Sequence, residues 1–511
     1  MSGICFNEDD SHFYFSRTKS SVLSQQAAED FIRQYAGSQI EQMLFCIGGM
    51  RPVYDSKVIE PVWTGYSLLE DEVENTNIES GMDIVELRKK LRIQNAYARN
   101  YGKPPIYHEF LTLCRKYKIS PWISVRMNDL HGARYDGLHG HSFFWGEHPE
   151  FRRAEYRIKR KDNGEVEYTD DISRALDFSN PEVRDHKFRL LEEILELFDI
   201  DGLELDWMRH GYHFRPGYEE EGAKILTEYL EDIRNLIHIW EERRGHKICL
   251  GVRVPSRPQT ALQLGMDAVT WARKKLVDQI VITPFFYSIE TDMPIELWKQ
   301  LLSGTDVTLA AGVEMFIRAY PETPLYQMNS PETVRGAAIS LLDRGADKIY
   351  LFNYLDNGEV PIDDPTGERD RYAPIIWEVG EIDTMKNKLR RHVLTYADTW
   401  APGEPEARKL PTVCTAKGWQ EFRIPIGPEP MEQQTVQIAL GIEEEDKVKT
   451  LEVRLNGNLC TYTGLANFGT PGPEKLWCFT VPKNAAHRGY NVIEIYPNET
   501  VTVQWAEIAI F

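Results

Sequence analysis

Eight short apolar runs, each followed by a stretch of helical periodicity, fill residues 1–360 and limit what this chain can fold into. The runs are GICFNEDD (3–10), QMLFCIGG (42–49), PWISVRMND (121–129), DGLELDWMR (201–209), KICLGVRVP (247–255), QIVITPFFYS (279–288), VTLAAGVEMF (307–316) and KIYLFNYLD (348–356). Between them lie amphipathic segments such as SQQAAEDFIRQYAG and NPEVRDHKFRLLEEILELF. In the second of these, Asn180 is expected as the N-cap and Pro181 at the first helical position. Strands alternating with helices predict a parallel sheet. Eight such units predict a closed (β/α)8 TIM barrel, with insertions at 50–105 and 130–178. A doubly wound open sheet is the alternative, but no Gly-rich phosphate loop follows any strand.

From about residue 405 the period changes. TVQIALGI, TLEVRLNGNLC, KLWCFTVP, YNVIEIYP and TVQWAEIAIF alternate with period two between Gly, Pro and Asn turns, which predicts an antiparallel β-sandwich. The expected organisation is therefore a catalytic barrel at 1–360, a helix and connection at 361–404 with the helix at 378–394, and the sandwich at 405–511. LEVRLNG, GYNVIEIYP and the terminal EIAIF resemble the jelly-roll modules appended to many carbohydrate-active enzymes.

A net charge of −20 argues against nucleic acid or an anionic membrane surface as a partner. No run approaches the roughly 18 apolar residues of a membrane span. The opening MSGICFNEDD lacks the basic and apolar regions of a secretory signal. A cytoplasmic location is expected, or a secreted or periplasmic one if a leader has been trimmed. The seven cysteines form no CxxC pair and sit mostly in apolar runs, where free buried thiols are expected. Oligomeric state is left open.

In a barrel, the C-terminal strand ends converge on one mouth, where chemistry is done. Alternation on the fourth strand puts Glu204, Asp206 and Met208 on one side and Leu203, Leu205 and Trp207 on the other. Helices cover the outside, so the acids are expected inside. Glu314 ends the seventh strand in the same zone. Asn7, Glu8, Asp9 and Asp10 end the first, and Tyr287, Glu290 and Asp292 follow the sixth. Asp201 has the simpler reading of a turn residue entering its strand. Glycosidic-bond hydrolysis needs a ring of this kind: one acid to protonate the leaving oxygen and one carboxylate to attack or to activate water.

The stretch LDFSNPEVRDHKFRLLEEILELFDIDGLELDWMRH (176–210) resembles the helix–strand unit of barrel glycoside hydrolases. In bacterial α-galactosidases a similar helix leads into a strand ending KWDMNR, whose Asp is the nucleophile. The resemblance matches that Asp to Asp206 and the Arg to Arg209, with Glu204 in place of the family's Lys. It implies that Arg209 keeps Asp206 ionised as the nucleophile and that Glu314 or the 290–292 loop donates the proton. By likeness to barrels whose nucleophile is on the seventh strand, Glu314 attacks instead and Asp206 is the acid. The family's later acid-bearing motif has no counterpart here. The strand also resembles the DGxDxDxE strand of chitinases, whose catalytic Glu falls on Met208.

Arg51, Arg126, Arg209 and Arg253 fall near the same mouth. Arginine forks suit carboxylate or sulfate oxygens, which points to an anionic sugar, uronic or sulfated. Their other reading is plain neutralisation of the carboxylates. Asn128, His210, Tyr287 and Tyr354 are candidate contacts to sugar, with Asn7 and Asp9 from the first strand. Trp145, Trp207, Phe285 and Phe286 are either stacking surfaces or core. In LHGARYDGLHGHSFFW (130–145), His131, His139 and His141 are expected to bond sugar hydroxyls. His139-x-His141 has metal-ligand spacing without a third ligand at helical spacing, so no metal and no cofactor are expected. The reading is a glycoside hydrolase working on carbohydrate with Asp206 and Glu314. The alternatives are a metal-dependent barrel hydrolase using His139 and His141, and a catalytically inactive carbohydrate-binding protein.

Overall fold

A computed structural model describes residues 3–65, 84–164, 166–168, 170–323, 327–354, 369–466 and 468–511. Parts of the first insertion and the end of the eighth apolar run lie outside the described residues.

The eight apolar runs become eight parallel strands in a closed barrel, each paired with the next in sequence and the last with the first. They are Ile4–Glu8, Ile40–Cys46, Ser120–Arg126, Gly202–Asp206, Cys249–Pro255, Gln279–Thr283, Thr308–Glu314 and Lys348–Phe352. Several end earlier than the apolar pattern does, because the mouth-side residues turn into loops once ladder pairing stops. Two hydrophobic regions follow from the alternation. Leu203 and Leu205 join the large core shared with the helices. Cys5, Leu44, Trp122, Val281, Ala310, Tyr350 and Phe352 form a separate cluster. Trp122 packs across the strands on either side of the fourth-strand entry: a Cβ on Gly202 would sit 2.3 Å from its indole, and one on Gly251 3.0 Å. Gly202 has room for hydrogen only, and a methyl at Gly251 would press on the indole.

The helix Pro181–Leu197 begins at Pro181 as expected. Asn180 occupies the cap position, but its side chain donates to the Asp177 carbonyl (3.1 Å) and makes no cap bond. No helix among the described residues is long and apolar enough to cross a membrane. All seven cysteines are free, and all but Cys249 are buried.

The C-terminal region is a sandwich of a six-stranded and a four-stranded antiparallel sheet. Alternation along Tyr490–Tyr496, with Asn491, Ile493 and Ile495 buried, shows the inner face. The helix expected at 378–394 is not continuous. Helices at Arg369–Glu378 and Ile382–Met385 flank Gly380, and Arg390–Val393 is a strand. That strand pairs with residues 507–510 and is buried throughout. Its Arg391 forms a buried bidentate pair with Glu507 (3.0 and 2.8 Å). The sandwich sheet thus starts before residue 405.

Barrel and sandwich meet closely. Gly336, in the helix Pro331–Asp343, would place a Cβ 2.0 Å from the Arg391 carbonyl oxygen. Asp292, beyond the sixth barrel strand, accepts from Tyr490 (2.8 Å) and Arg423 (3.2 Å) of the four-stranded sheet.

Candidate active site

The fourth strand delivers both of its acids into the barrel. Glu204 Oε1 accepts from Ser124 (2.7 Å) on the third strand, Tyr350 (2.8 Å) on the eighth and Asn7 (3.4 Å) on the first. Asp206, two residues nearer the mouth, accepts at Oδ1 from the backbone N–H groups of Met208 and Arg209, both 2.9 Å. Its Oδ2 takes Arg253 Nη1 at 3.1 Å. The other arm of the same guanidinium, Nη2, donates to Glu314 Oε1 at 2.8 Å. Thr283 donates to that oxygen at 3.2 Å. Asp206 and Glu314 are thus held apart by the width of one guanidinium. The Phe352 ring packs on that guanidinium, 4.0 Å from its carbon.

Three buried carboxyls surround one buried cation. One arginine neutralises one carboxylate, so the remaining acids hold protons more tightly. Burial pushes Glu314 up to about 8 against the pull of Arg253, and burial with the nearby Asp206 pushes Glu204 up to about 7. Glu314 Oε2 and Glu204 Oε2 are buried without a hydrogen-bond partner among the described residues.

A second tier lies beside this cluster. The guanidinium of Arg209 packs against Phe286 (5.0 Å), Phe285 (5.4 Å) and Phe352 (5.9 Å). Its Nη2 meets His131 Nε2 at 2.7 Å, and His131 Nδ1 meets Asp129 at 2.8 Å. Arg209 Nε and Nη1 have no partner among the described residues, although the residue is only 6 % exposed. Arg126 bonds Asp9 and lies 3.5 Å from Asp129. Burial works against Asp129's charge, but His131 and Arg126 more than offset it and hold the carboxyl well below the usual range. His210 adopts a positive φ of 69° as the chain leaves the strand, and burial and Arg209 hold it well below the usual histidine value. Its Nδ1 accepts from the Leu130 N–H at 3.2 Å.

The other expected residues are dispersed. Asn128 braces the second insertion, donating to the Leu176 (3.0 Å) and Tyr212 (3.2 Å) carbonyls. Tyr354 is buried, and its hydroxyl donates to the Glu314 carbonyl at 2.6 Å. Asp9 caps a short helix through the Ser11 N–H (2.9 Å). Arg51 is held by Glu60 (3.0 Å) and by the His141 and Thr64 carbonyls (2.8 and 3.0 Å). His139 contacts the Val62 carbonyl at 2.6 Å, and His141 packs on Trp145. Glu290 is bound to Ser256 and to Arg257 (2.8 Å). Asp201 pairs with Arg115 (2.8 Å) and Ser120 (3.0 Å) where its strand begins. No group of three or more His, Cys, Asp or Glu among the described residues is placed to hold a metal ion.

Two expectations about roles change. The cation on Asp206 is Arg253; Arg209 faces the aromatic cluster instead, because its backbone N–H rather than its side chain bonds Asp206. The 290–292 loop supplies no acid to the cluster, since Glu290 and Asp292 are committed elsewhere. Sequence reasoning passed over Asp398. Its half-buried carboxylate accepts from three successive N–H groups, those of Phe285 (2.7 Å), Phe286 (3.0 Å) and Tyr287 (2.9 Å), and so sets the loop that carries Tyr287. The one signal was an Asp in the apolar VLTYADTW stretch, read as connection.

No family model matches the chain. No curated protein matches it either. Among solved structures it is similar to an α-L-fucosidase isoenzyme 2 from Paenibacillus thiaminolyticus, at 11% identity over 75% of this chain and 48% of that one, with a TM-score of 0.40. The chain thus spans about half the length of that enzyme. It is similar also to the PgaB (BpsB) glycoside hydrolase domain from Bordetella bronchiseptica, at 9% identity over 75% of this chain and 99% of that one, TM-score 0.39. An α-fucosidase from Thermotoga maritima aligns at 11% identity over 96% of this chain and 95% of that one, TM-score 0.33. Scores this low leave the functional reading to the residues themselves.

Proposed function

We propose that the barrel is a glycoside hydrolase in which Asp206 is the nucleophile and Glu314 the acid–base. The observation that carries this reading is the shared guanidinium. Arg253 holds the two carboxyls close together, as a double displacement needs, while one cation cannot hold all three neighbouring acids ionised. Asp206 Oδ2, engaged by Arg253 alone, attacks the anomeric carbon. The bond to the leaving oxygen breaks, and that oxygen takes the proton from Glu314 Oε2. Water then attacks the anomeric carbon, gives its proton back to Glu314 and releases Asp206. Arg209, with two unpartnered donors, would receive the anionic group of a uronic or sulfated sugar.

Asp206, Glu314 and Arg253 have no exposed surface. Substrate entry therefore requires the mouth side of the barrel to open. The same burial favours the second reading, a catalytically inactive carbohydrate-binding barrel whose buried triad is structural. Reducing-end release from a panel of neutral, uronic and sulfated polysaccharides and aryl glycosides separates them. The hydrolase reading expects activity in the wild type that Asp206→Asn lowers by about a thousandfold or more, since a carboxylate nucleophile is lost. Activity in Asp206→Asn within tenfold of wild type removes the assignment, and a folded wild type inert on the whole panel supports the binding protein.

A further inference from the structure

The loops after the second and third barrel strands enclose a cleft of about 580 Å³ that shares no lining residue with the carboxylate cluster. Its aromatic, imidazole and charged side chains bear on what it could hold.

Phe143 opens the short helix Phe143–Glu147 and keeps 49% of its surface exposed. Its position is fixed from several sides. Its N–H donates to Glu60 at 2.6 Å, and Ser142 caps the helix through the Trp145 N–H. The Arg51 guanidinium lies 4.9 Å from the ring centroid. An exposed aromatic ring held this firmly loses little freedom when something stacks on it.

His141, from the same loop, lines the cleft while being only 5% exposed. Neither ring nitrogen makes a well-formed hydrogen bond among the described residues, although the Gly132 backbone lies close enough to the ring to favour its protonated form. Burial, with Arg174 and Arg152 nearby, lowers its affinity for a proton. A neutral imidazole offers one donor and one acceptor, and the Gly132 backbone can engage only one of them. Buried polar groups are normally satisfied, so the other nitrogen calls for an occupant.

The charges in the cleft cancel. Arg51 pairs with Glu60 (3.0 Å), Arg152 with Glu155 (3.0 Å) and Arg160 with Asp136 (2.8 Å). No spare cation is left among the described lining residues to draw an anion, and the ring face suits C–H groups. A sugar residue has that combination of an apolar face with adjacent hydroxyls, each of which both donates and accepts.

We propose that this cleft binds an uncharged sugar unit of a glycan, with Phe143 under its apolar face and one nitrogen of His141 bonded to a hydroxyl at its edge. The site is separate from the carboxylate cluster and does not rest on hydrolysis there, so the full-length Asp206→Asn protein can be used to test it. Calorimetric titration with cellotetraose, xylotetraose, mannotetraose, laminaritetraose and chitotetraose should show binding by at least one of them. Phe143→Ala should weaken that binding by about tenfold or more without changing the melting temperature, because the ring is half exposed. His141→Ala should weaken it to a similar degree, and a crystal of the complex should show a sugar oxygen on a His141 nitrogen. Failure of every oligosaccharide to bind overturns the proposal. So does binding undiminished by Phe143→Ala, or a complex in which His141 meets water alone. Hydrolysis by the Phe143→Ala protein, measured separately, reports on the carboxylate cluster and not on this cleft.

Discussion

At the scale of single residues, the buried trio Asp206, Arg253 and Glu314 makes the sharpest demands. Arg253→Met leaves two carboxyls without their cation in a dry barrel. Breaking a buried pair this way lowers stability by about 3–5 kcal/mol, a loss that denaturant titration should show. Glu314 gives a pH signature of its own. Its folded value lies above the ordinary 4.5, at about 8. The stability gained by keeping it protonated is therefore whole below 4.5 and is lost as pH rises through about 8. Glu314→Gln should flatten that decline in melting temperature. As the acid, Glu314 also predicts an alkaline fall in kcat/KM near 8. Glu314→Gln should abolish that limb and lose far more activity on poor leaving groups than on 2,4-dinitrophenyl glycosides, which need no proton. Equal losses on both would remove Glu314 from the acid role.

At the scale of elements, the sequence shows the strands well and the loops poorly, for a physical reason. A barrel strand is read from alternation, since every second residue must meet the helices, and Leu203 and Leu205 against Glu204 and Asp206 made the fourth strand legible. Which cation meets which acid depends on register between neighbouring strands. Asp206 stands opposite Arg253 in the ladder between the fourth and fifth strands, a pairing with no trace in either segment alone. Arg209, nearer in sequence, looked like the partner and is not. Asp398 escaped notice for a similar reason, because its partners lie more than a hundred residues earlier. The strand Arg390–Val393 was hidden because buried arginines read as a charged helix until Glu507 is seen beside them. Trp122 supplies an element-scale test. Gly251→Ala puts a methyl 3.0 Å from the indole and Gly202→Ala one at 2.3 Å, so both should destabilise the barrel, the second more strongly. Equal, negligible effects would mean the indole moves freely.

For the whole molecule, the contacts between barrel and sandwich predict a fixed pair. Gly336 lets the helix Pro331–Asp343 touch the Arg391 backbone, so Gly336→Ala should lower the melting temperature as a core substitution would. A chain cut after residue 404 keeps the Arg390–Val393 strand but loses its partner at 507–510, exposing an unpaired edge and apolar surface. It should be poorly soluble, whereas a monomeric, equally heat-stable 1–404 fragment would contradict the fixed pairing. The central claim concerns what the assembled barrel does with its two carboxyls. It is tested most directly by azide rescue of Asp206→Gly on the aryl glycoside that the wild type cleaves best, with the glycosyl azide examined by NMR. If Asp206 is the nucleophile, azide enters from the face it vacated and the product has the anomeric configuration opposite to that of the substrate. A glycosyl azide of retained configuration would contradict the account, placing Asp206 as acid–base and the nucleophile elsewhere.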